Sequence, residues 1–299
     1  MSQELPRALS RGDLVALVSP ASWSSEEWIE TSTAVLECWG LRVRCGVHAD
    51  DRLGYLAGRD EDRLADLNAA IRDPEVRAVI TLRGGCGSSR LLAGVDVDAL
   101  AKDPKPLVGY SDITALHRLW HMAGVPSLHG AVAGEHAEIV RDILYGGTPA
   151  PVRADPTQFG AELTTGGRAV GKLFGGNLEM LARSVGVLDF DMRGHVLLLE
   201  INKLAGLGNV DRALTQLLMS GALDGVVGVA LGWLTGFEDY EDRGWTILDV
   251  LRDRLGTLDV PLLAGLPFGH DSNPRVAPLN VPCTLDADDG ILTLAAALR

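Results

Sequence analysis

The chain has 299 residues, of which 46% are hydrophobic and 22% charged, and its formal net charge is −13. That length holds one large domain or two ordinary ones, and the negative charge argues against a nucleic-acid partner. The first residues lack the apolar core of a secretory signal, and no apolar run reaches the ~18 residues that span a bilayer. We therefore expect a cytosolic protein with no membrane partner.

The first half of the chain alternates short apolar runs with segments of helical periodicity. The predicted strands lie at residues 14–19, 41–45, 78–82, 105–109 and 125–129, and the predicted helices at residues 24–39, 60–71 and 112–123. Ser24 with Glu27 predicts a capping box for the first helix, and Asp60 a cap for the second. Such alternation is typical of a doubly wound parallel sheet, whose sites lie beyond the carboxyl ends of the strands.

The second half predicts a smaller, mixed α/β domain that is richer in strands. Residues 145–167 are rich in Gly, Pro, Thr and Ala without a sustained apolar period, which is typical of a linker. Strands are predicted at residues 195–201, 225–233 and 261–266, helices at residues 177–185, 210–220 and 246–255, and a closing hairpin at residues 281–298. We predict an N-terminal domain over residues 1–147, a linker over 148–167 and a C-terminal domain over 168–299.

Ser111 is the first candidate for chemistry. It follows an apolar run that breaks at Gly109-Tyr110, and a helical segment begins at Asp112. This order of strand, sharp turn, serine and helix is that of a nucleophile elbow, which exposes the hydroxyl and sets the next backbone N–H beside a forming oxyanion. The sequence is not the common Gly-x-Ser-x-Gly, and a helix-capping serine is the alternative interpretation.

A glycine-rich loop, Gly84-Gly85-Cys86-Gly87, follows the strand at residues 78–82. It lacks the lysine of a Walker A loop and the dinucleotide-binding spacing, so we expect no nucleotide cofactor. A loop that lets backbone N–H groups approach a ligand suits an oxyanion hole, although a simple turn is an alternative. His117 and His121 have helical spacing without the glutamate of a zinc motif, and the four cysteines form no zinc spacing. We therefore expect no metal and no disulfide.

A serine nucleophile needs a base and a group that orients the base. His270 follows the apolar strand at residues 261–266 and opens a polar loop, where a histidine can act as a base. Glu200 ends another apolar strand, where a carboxylate is costly to bury unless it is paired, and an imidazole N–H is a natural partner. The alternatives are a surface loop histidine and a strand-end glutamate that faces solvent.

Read together, these segments resemble the LD-carboxypeptidase family of serine peptidases, which includes the microcin C self-immunity proteins. The resembling motifs follow one another along nearly the whole chain: Val18-Ser-Pro-Ala21, Gly54-Tyr-Leu-Ala-Gly-Arg-Asp60, Arg83-Gly-Gly-Cys-Gly-Ser88, Gly109-Tyr-Ser-Asp-Ile-Thr114, Gly171-Lys-Leu-Phe-Gly-Gly-Asn-Leu178, Leu197-Leu-Leu-Glu200, Asp211-Arg-Ala-Leu-Thr-Gln-Leu217 and Gly265-Leu-Pro-Phe-Gly-His270. Cys86 departs from the family's tyrosine, and Asn280 from its glycine.

The resemblance implies a Rossmann-like N-terminal domain, a smaller β-rich C-terminal domain and a site at their interface. It implies Ser111 as nucleophile, His270 as general base and acid, and Glu200 as the residue that orients the imidazole. The backbone N–H groups of Gly85 and Asp112 would form the oxyanion hole. The resemblance also implies a homodimer.

The leading functional hypothesis is a serine carboxypeptidase that hydrolyses an L,D peptide bond. Its substrate would be a murein tetrapeptide, with terminal D-Ala released during cell-wall recycling. One alternative is hydrolysis of peptidyl- or aminoacyl-nucleotide toxins, as in the immunity branch of the family. Another is a relative that binds peptides without catalysis, although the presence of all three triad residue types argues against it.

Overall fold

The computed structural model describes residues 5–134, 136–189, 191–201, 206–270 and 274–299, and it divides the chain into two units. The first contains Met1–Thr148, Val276–Asn280 and Ala296–Arg299, and the second contains Pro149–Arg275 and Val281–Ala295. The chain therefore passes between the units more than once. Within the described residues, no helix is long and apolar enough to cross a membrane.

The strands are numbered in chain order. They are β1 (Leu14–Val18), β2 (Arg42–Cys45), β3 (Val76–Thr81), β4 (Leu107–Gly109), β5 (Ser127–His129), β6 (Val152–Arg153), β7 (Arg168–Asn177), β8 (His195–Glu200), β9 (Gly228–Gly232), β10 (Glu241–Asp242), β11 (Trp245–Thr246), β12 (Leu262–Leu266), β13 (Ala277–Leu279), β14 (Val281–Asp286) and β15 (Ile291–Leu294).

The helices follow the same convention. They are α1 (Glu26–Cys38), α2 (Asp60–Arg72), α3 (Val97–Lys102), α4 (Thr114–Met122), α5 (Ala137–Leu144), α6 (Leu178–Ser184), α7 (Leu207–Met219) and α8 (Ile247–Leu255).

The first unit is built on a six-stranded sheet in the order β13-β5-β4-β3-β1-β2. Strands β1 to β5 are parallel, and β13 joins the edge antiparallel to β5. All residues of β1 and β4 are buried, as expected for strands covered on both faces. The predicted Rossmann-like α/β fold is confirmed, and the carboxyl ends of β3 and β4 carry the glycine loop and Ser111.

The second unit contains a seven-stranded sheet in the order β12-β9-β8-β7-β14-β15-β6. Strands β7, β8, β9 and β12 are parallel, whereas β14, β15 and β6 pair antiparallel. This β-rich α/β arrangement agrees with the predicted fold class, and β14 with β15 forms the predicted closing hairpin. Residues 149–167 carry β6 and a short 3₁₀ helix, Ala161–Leu163.

Two predicted helix caps are wrong by a small displacement, and a third helix begins earlier than predicted. The N-cap of α1 is Ser25, whose hydroxyl accepts a hydrogen bond from the Trp28 N–H, so Ser24 is left outside the cap. Asp60 is the first residue of α2 rather than its cap, and its carboxylate instead pairs with two arginines. Helix α7 begins at Leu207, three residues before the expected start, with Gly206 as its N-cap at a φ of 66°, so Asn209 lies inside the helix.

Candidate active site

Ser111 lies at a strained turn between a strand and a helix. It follows β4, opens a 3₁₀ turn over Ser111–Ile113, and is succeeded directly by α4. Its φ is 63°, in the left-handed region that a non-glycine residue adopts at a cost of about 1–3 kcal/mol. A helix-capping serine would have extended backbone instead, which is what Tyr110 shows in this turn. The backbone therefore has the form of a nucleophile elbow.

The glycine-rich loop lies directly against this turn. A Cβ added to Gly84 would lie 2.8 Å from the Tyr110 carbonyl oxygen, 3.0 Å from Ser111 Cβ and 3.3 Å from Asp112 N. The close approach requires a residue without a side chain at position 84. Gly85, the next residue, has a φ of 103°. The loop and the amide of Asp112 thus share one small region beside the Ser111 side chain.

Hydrogen bonds from Ser88 fasten the loop to the turn. The Ser88 N–H donates to the Asp112 carboxylate at 2.8 Å, and the Ser88 hydroxyl donates to the Asp112 carbonyl oxygen at 2.6 Å. Both residues are buried, so these bonds are shielded from competing water. On the other side of the loop, the Cys86 N–H donates to Ser22 Oγ at 3.1 Å. The fastening restricts the positions of the Gly85 and Asp112 amides, the predicted oxyanion donors.

His117 stabilises the turn by hydrogen bonds to the two strands β4 and β5. Its Nε2 lies 2.9 Å from the Gly109 carbonyl oxygen, and its Nδ1 lies 2.8 Å from Ser127 Oγ. A carbonyl oxygen only accepts, so Nε2 carries the proton and Nδ1 accepts from the serine hydroxyl. Burial, with the neighbouring His129 as a second cause, lowers the pKa of His117 to about 3. The ring is therefore neutral at pH 7 and ties β4, β5 and α4 together under the serine.

Glu200 and His270 form a hydrogen-bonded pair in the second unit. Glu200 is the last residue of β8, His270 follows β12, and Glu200 Oε2 lies 2.8 Å from His270 Nδ1. The carboxylate side chain is fully buried, and the imidazole is 26% exposed. The hydrogen bond that Nδ1 donates to the Glu200 carboxylate raises the pKa of His270 above its ordinary value of 6.5, although partial burial opposes the shift. A solvent-facing Glu200 is excluded.

This pairing fixes the chemistry of the imidazole. A carboxylate accepts, so Nδ1 carries the proton, and Nε2 is the basic nitrogen of the neutral ring. A buried carboxylate also stabilises the imidazolium that forms once Nε2 takes up a proton. The pair can therefore act as a general base whose proton affinity is tuned by Glu200.

The structure thus groups the predicted site residues within each unit. Ser111, Asp112 and Gly85 cluster in the first, and Glu200 contacts His270 in the second. The supporting roles of Ser88 and His117 were not predicted. Two sequence signals were available for these roles. Ser88 lies in the glycine loop between a strand and a helix, and His117 lies on the inward face of an amphipathic helix. Neither signal by itself indicates which residue the side chain contacts.

One group of side chains in the described part of the chain has the composition of a cation site. A nitrogen of His48 and carboxylate oxygens of Asp51 and Asp62 lie within 4.8 Å of one another. His48 Nδ1 already lies 2.9 Å from Asp51, and this hydrogen bond raises the pKa of His48. The group lies in the segment after β2 and at the start of α2, and the pairing accounts for it without an ion.

Comparison with known proteins places both halves of the chain in one group. Residues 15–130 match the model of the LD-carboxypeptidase N-terminal domain, and residues 170–285 match that of the C-terminal domain. A Streptomyces coelicolor protein, provisionally named a carboxypeptidase, is 40% identical over 97% of this chain and 95% of its own length. The murein tetrapeptide carboxypeptidase of Pseudomonas aeruginosa is 31% identical, with 92% and 93% covered.

A solved structure shows the same fold. The crystal structure of muramoyltetrapeptide carboxypeptidase from Oxalobacter formigenes superposes with a TM-score of 0.81 at 27% identity. The match covers 94% of this chain and 97% of that protein. The similarity therefore extends over both units.

Proposed function

Because the chain belongs to the LD-carboxypeptidase family and is a peptidase, we propose that it is a serine carboxypeptidase acting on L,D peptide bonds. The substrate proposed is the murein tetrapeptide L-Ala-γ-D-Glu-meso-diaminopimelate-D-Ala, from which the enzyme releases terminal D-Ala. The relatives of Pseudomonas aeruginosa and Oxalobacter formigenes support this choice by their names. The observation that carries the chemistry is the buried Glu200 carboxylate 2.8 Å from His270 Nδ1.

In the proposed acylation step, Ser111 Oγ attacks the carbonyl carbon of the scissile bond and His270 Nε2 takes the hydroxyl proton. The N–H groups of Gly85 and Asp112 stabilise the oxyanion of the tetrahedral intermediate. His270 then donates its proton to the leaving amine, the C–N bond breaks, and D-Ala departs. In deacylation His270 removes a proton from water, which attacks the acyl-enzyme and regenerates the serine.

Three features support these roles. The left-handed turn holds the Ser111 hydroxyl at the carboxyl end of a parallel sheet, where sites of such folds lie. The close contact of Gly84 with the Ser111 turn and the hydrogen bonds from Ser88 to Asp112 hold the proposed oxyanion donors beside that serine. The raised pKa of His270 follows from the carboxylate partner that a triad requires.

The test is mass-spectrometric detection of D-Ala release from the tetrapeptide by the wild type and by Ser111→Ala. Release by the wild type, with a loss of several orders of magnitude in the variant, is the expected result. Retention of most of the rate by Ser111→Ala would refute the assigned nucleophile. A serine-directed fluorophosphonate should label the wild type at Ser111, and absence of labelling would support the non-catalytic alternative.

The same assay with acyl-sulfamoyl adenosines tests the alternative substrate class. Faster turnover of these compounds than of the tetrapeptide would replace the proposed substrate and leave the proposed triad in place. We also propose a cytoplasmic homodimer that acts in peptidoglycan recycling and uses no metal, cofactor, nucleic acid or membrane partner. The support is the family resemblance and the net charge of −13, and light scattering tests the oligomeric state.

A further inference from the structure

A cavity of about 340 Å³ lies beside the proposed nucleophile in the first unit. Gly84 and Tyr110 form its wall on the side of the strained turn, and Trp23 and Trp28 line another side. The Trp28 indole N–H donates to the Leu82 carbonyl oxygen at 2.8 Å, which fixes the ring in place. Ligand sites of small molecules are of this size or larger, so the cavity holds a single amino-acid residue with its backbone.

Two buried hydroxyl groups line this cavity without a protein partner. Ser24 and Ser32 are 2% and 1% exposed, and in the described part of the chain neither side-chain oxygen has a hydrogen-bond partner. An unsatisfied buried polar group is costly. Both residues belong to the wall of the cavity, but their oxygens have almost no accessible surface, so the polar group that a ligand meets is the arginine described next.

The cavity also carries an arginine whose hydrogen-bonding capacity is mostly unused. Arg83 is exposed, and its guanidinium donates to the Trp23 carbonyl oxygen at 3.3 Å. The guanidinium of Arg52 lies over the Trp23 ring, 4.4 Å from its centre. Neither arginine forms an ion pair with a carboxylate among the residues that the structure describes. In a chain with a net charge of −13, the Arg83 guanidinium in the wall of the cavity attracts an anionic ligand.

We propose that this cavity receives the C-terminal residue of the peptide and that Arg83 binds its terminal carboxylate. The inference rests on the proposed function, since an enzyme that removes one residue must recognise the chain end close to the nucleophile. The terminal carboxylate carbon lies one residue from the scissile carbonyl carbon, at most about 3.3–3.6 Å along an extended backbone. Arg83 precedes Gly84, whose added Cβ would lie 3.0 Å from Ser111 Cβ.

The guanidinium suits this task by its geometry. A planar guanidinium donates two parallel hydrogen bonds to one carboxylate, and a single contact to the Trp23 carbonyl leaves donors for such a pair. If Arg83 only braced the glycine loop, its replacement would change the affinities for acidic and neutral ligands equally. If it binds the carboxylate, only the affinity for the acidic ligand would change.

The test compares the tetrapeptide with the same peptide ending in D-alaninamide. Binding of each is measured calorimetrically in a Ser111→Ala background, with Arg83→Gln, Arg83→Lys and Arg42→Gln added in turn. Arg42 is the matched control because it is exposed and its guanidinium also donates to a backbone carbonyl, that of Gly12. It lies at the start of β2, at the opposite end of the strands from Arg83.

We expect the parent to bind the acid about 10–100-fold more tightly than the amide, as for hydrogen bonds to charged groups. Arg83→Gln should remove this preference by weakening the binding of the acid alone, and Arg83→Lys should keep part of the preference. Arg42→Gln should leave the affinities for the acid and for the amide unchanged. Equal weakening of acid and amide by Arg83→Gln, or a preference that survives it, would overturn the inference. Hydrolysis by the protein with Ser111 intact is scored separately, so failure of the proposed function is recognised independently.

Discussion

Replacing Glu200 with glutamine tests the coupling between carboxylate and imidazole most directly. Glutamine preserves the side-chain shape and can still accept a hydrogen bond from His270 Nδ1, but it removes the negative charge. Glu200 is fully buried, and its oxygen lies 2.8 Å from the ring nitrogen. With about 4 Å between charge centres and an effective dielectric constant of about 20, the lost attraction on the imidazolium is about 4 kcal/mol.

This energy corresponds to an upper limit of about 10³ in rate, since 1.36 kcal/mol is tenfold. We expect kcat/KM for the tetrapeptide to fall about 10²–10³-fold in Glu200→Gln. The base must be neutral, and the pKa of His270 is raised, so wild-type activity should fall as the pH decreases through a value above 6.5. Loss of the negative charge weakens the influence that raises the pKa of His270, while desolvation still lowers it, so the acid limb should move to lower pH.

The assay is the pH dependence of kcat/KM from pH 5 to 9 for the wild type, Glu200→Gln and Glu179→Gln. Glu179 is a suitable control because its carboxylate pairs with Arg183 at the surface of α6, where an exposed pair contributes little. An acid limb that stays in place or moves to higher pH in Glu200→Gln would refute the reasoning. So would a rate within threefold of the wild type.

Three further predictions follow from the strained turn and its support. Ser111→Gly should raise the free energy of unfolding by about 1 kcal/mol over Ser111→Ala, since glycine adopts a φ of 63° without strain; urea unfolding of both variants measures this, and equal stabilities would contradict it. Gly84→Ala should lower stability by about 1–3 kcal/mol because its Cβ meets backbone at 2.8 Å, and fluorophosphonate labelling of Ser111 should slow, whereas an unchanged labelling rate would contradict the close approach. The pKa of His117 is depressed to about 3, so its neutral folded form contributes stability that is present above pH 6.5 and declines as the pH falls toward 3. Between pH 7 and pH 5 the free energy of unfolding should therefore decrease less in His117→Gln than in the wild type.

Local sequence signals predicted most elements because they act over short distances. The apolar runs that became β1, β3, β8 and β12 are fully or almost fully buried, and burial of such runs depends little on what they contact. Cap positions were less certain because Ser24 and Ser25 are equally good caps by residue type. Only the backbone geometry decides that the hydroxyl of Ser25 accepts from the Trp28 N–H.

Contacts between segments far apart in the chain could not be predicted from the sequence. Strand β13 pairs with β5, about 150 residues earlier, and nothing in its three residues specifies that partner. The walls of the cavity come from the segments around Trp23, Gly84 and Gly130, so no single sequence motif predicts the cavity. The order of strand, turn, serine and helix at Ser111 was predictable because an elbow is a local structure. Its support by His117 was not, because a histidine on a helix has many ordinary environments.

The late arrival of β13 has a consequence for biosynthesis. While the ribosome is still translating the second unit, the sheet of the first unit has β5 as an open edge, with unpaired backbone groups. That edge is closed only after residue 279 has emerged, roughly 8–30 s after His129 at about 5–20 residues/s. The nascent chain thus carries a β edge able to pair with another copy, and a message truncated before codon 277 yields a first unit that never completes its sheet.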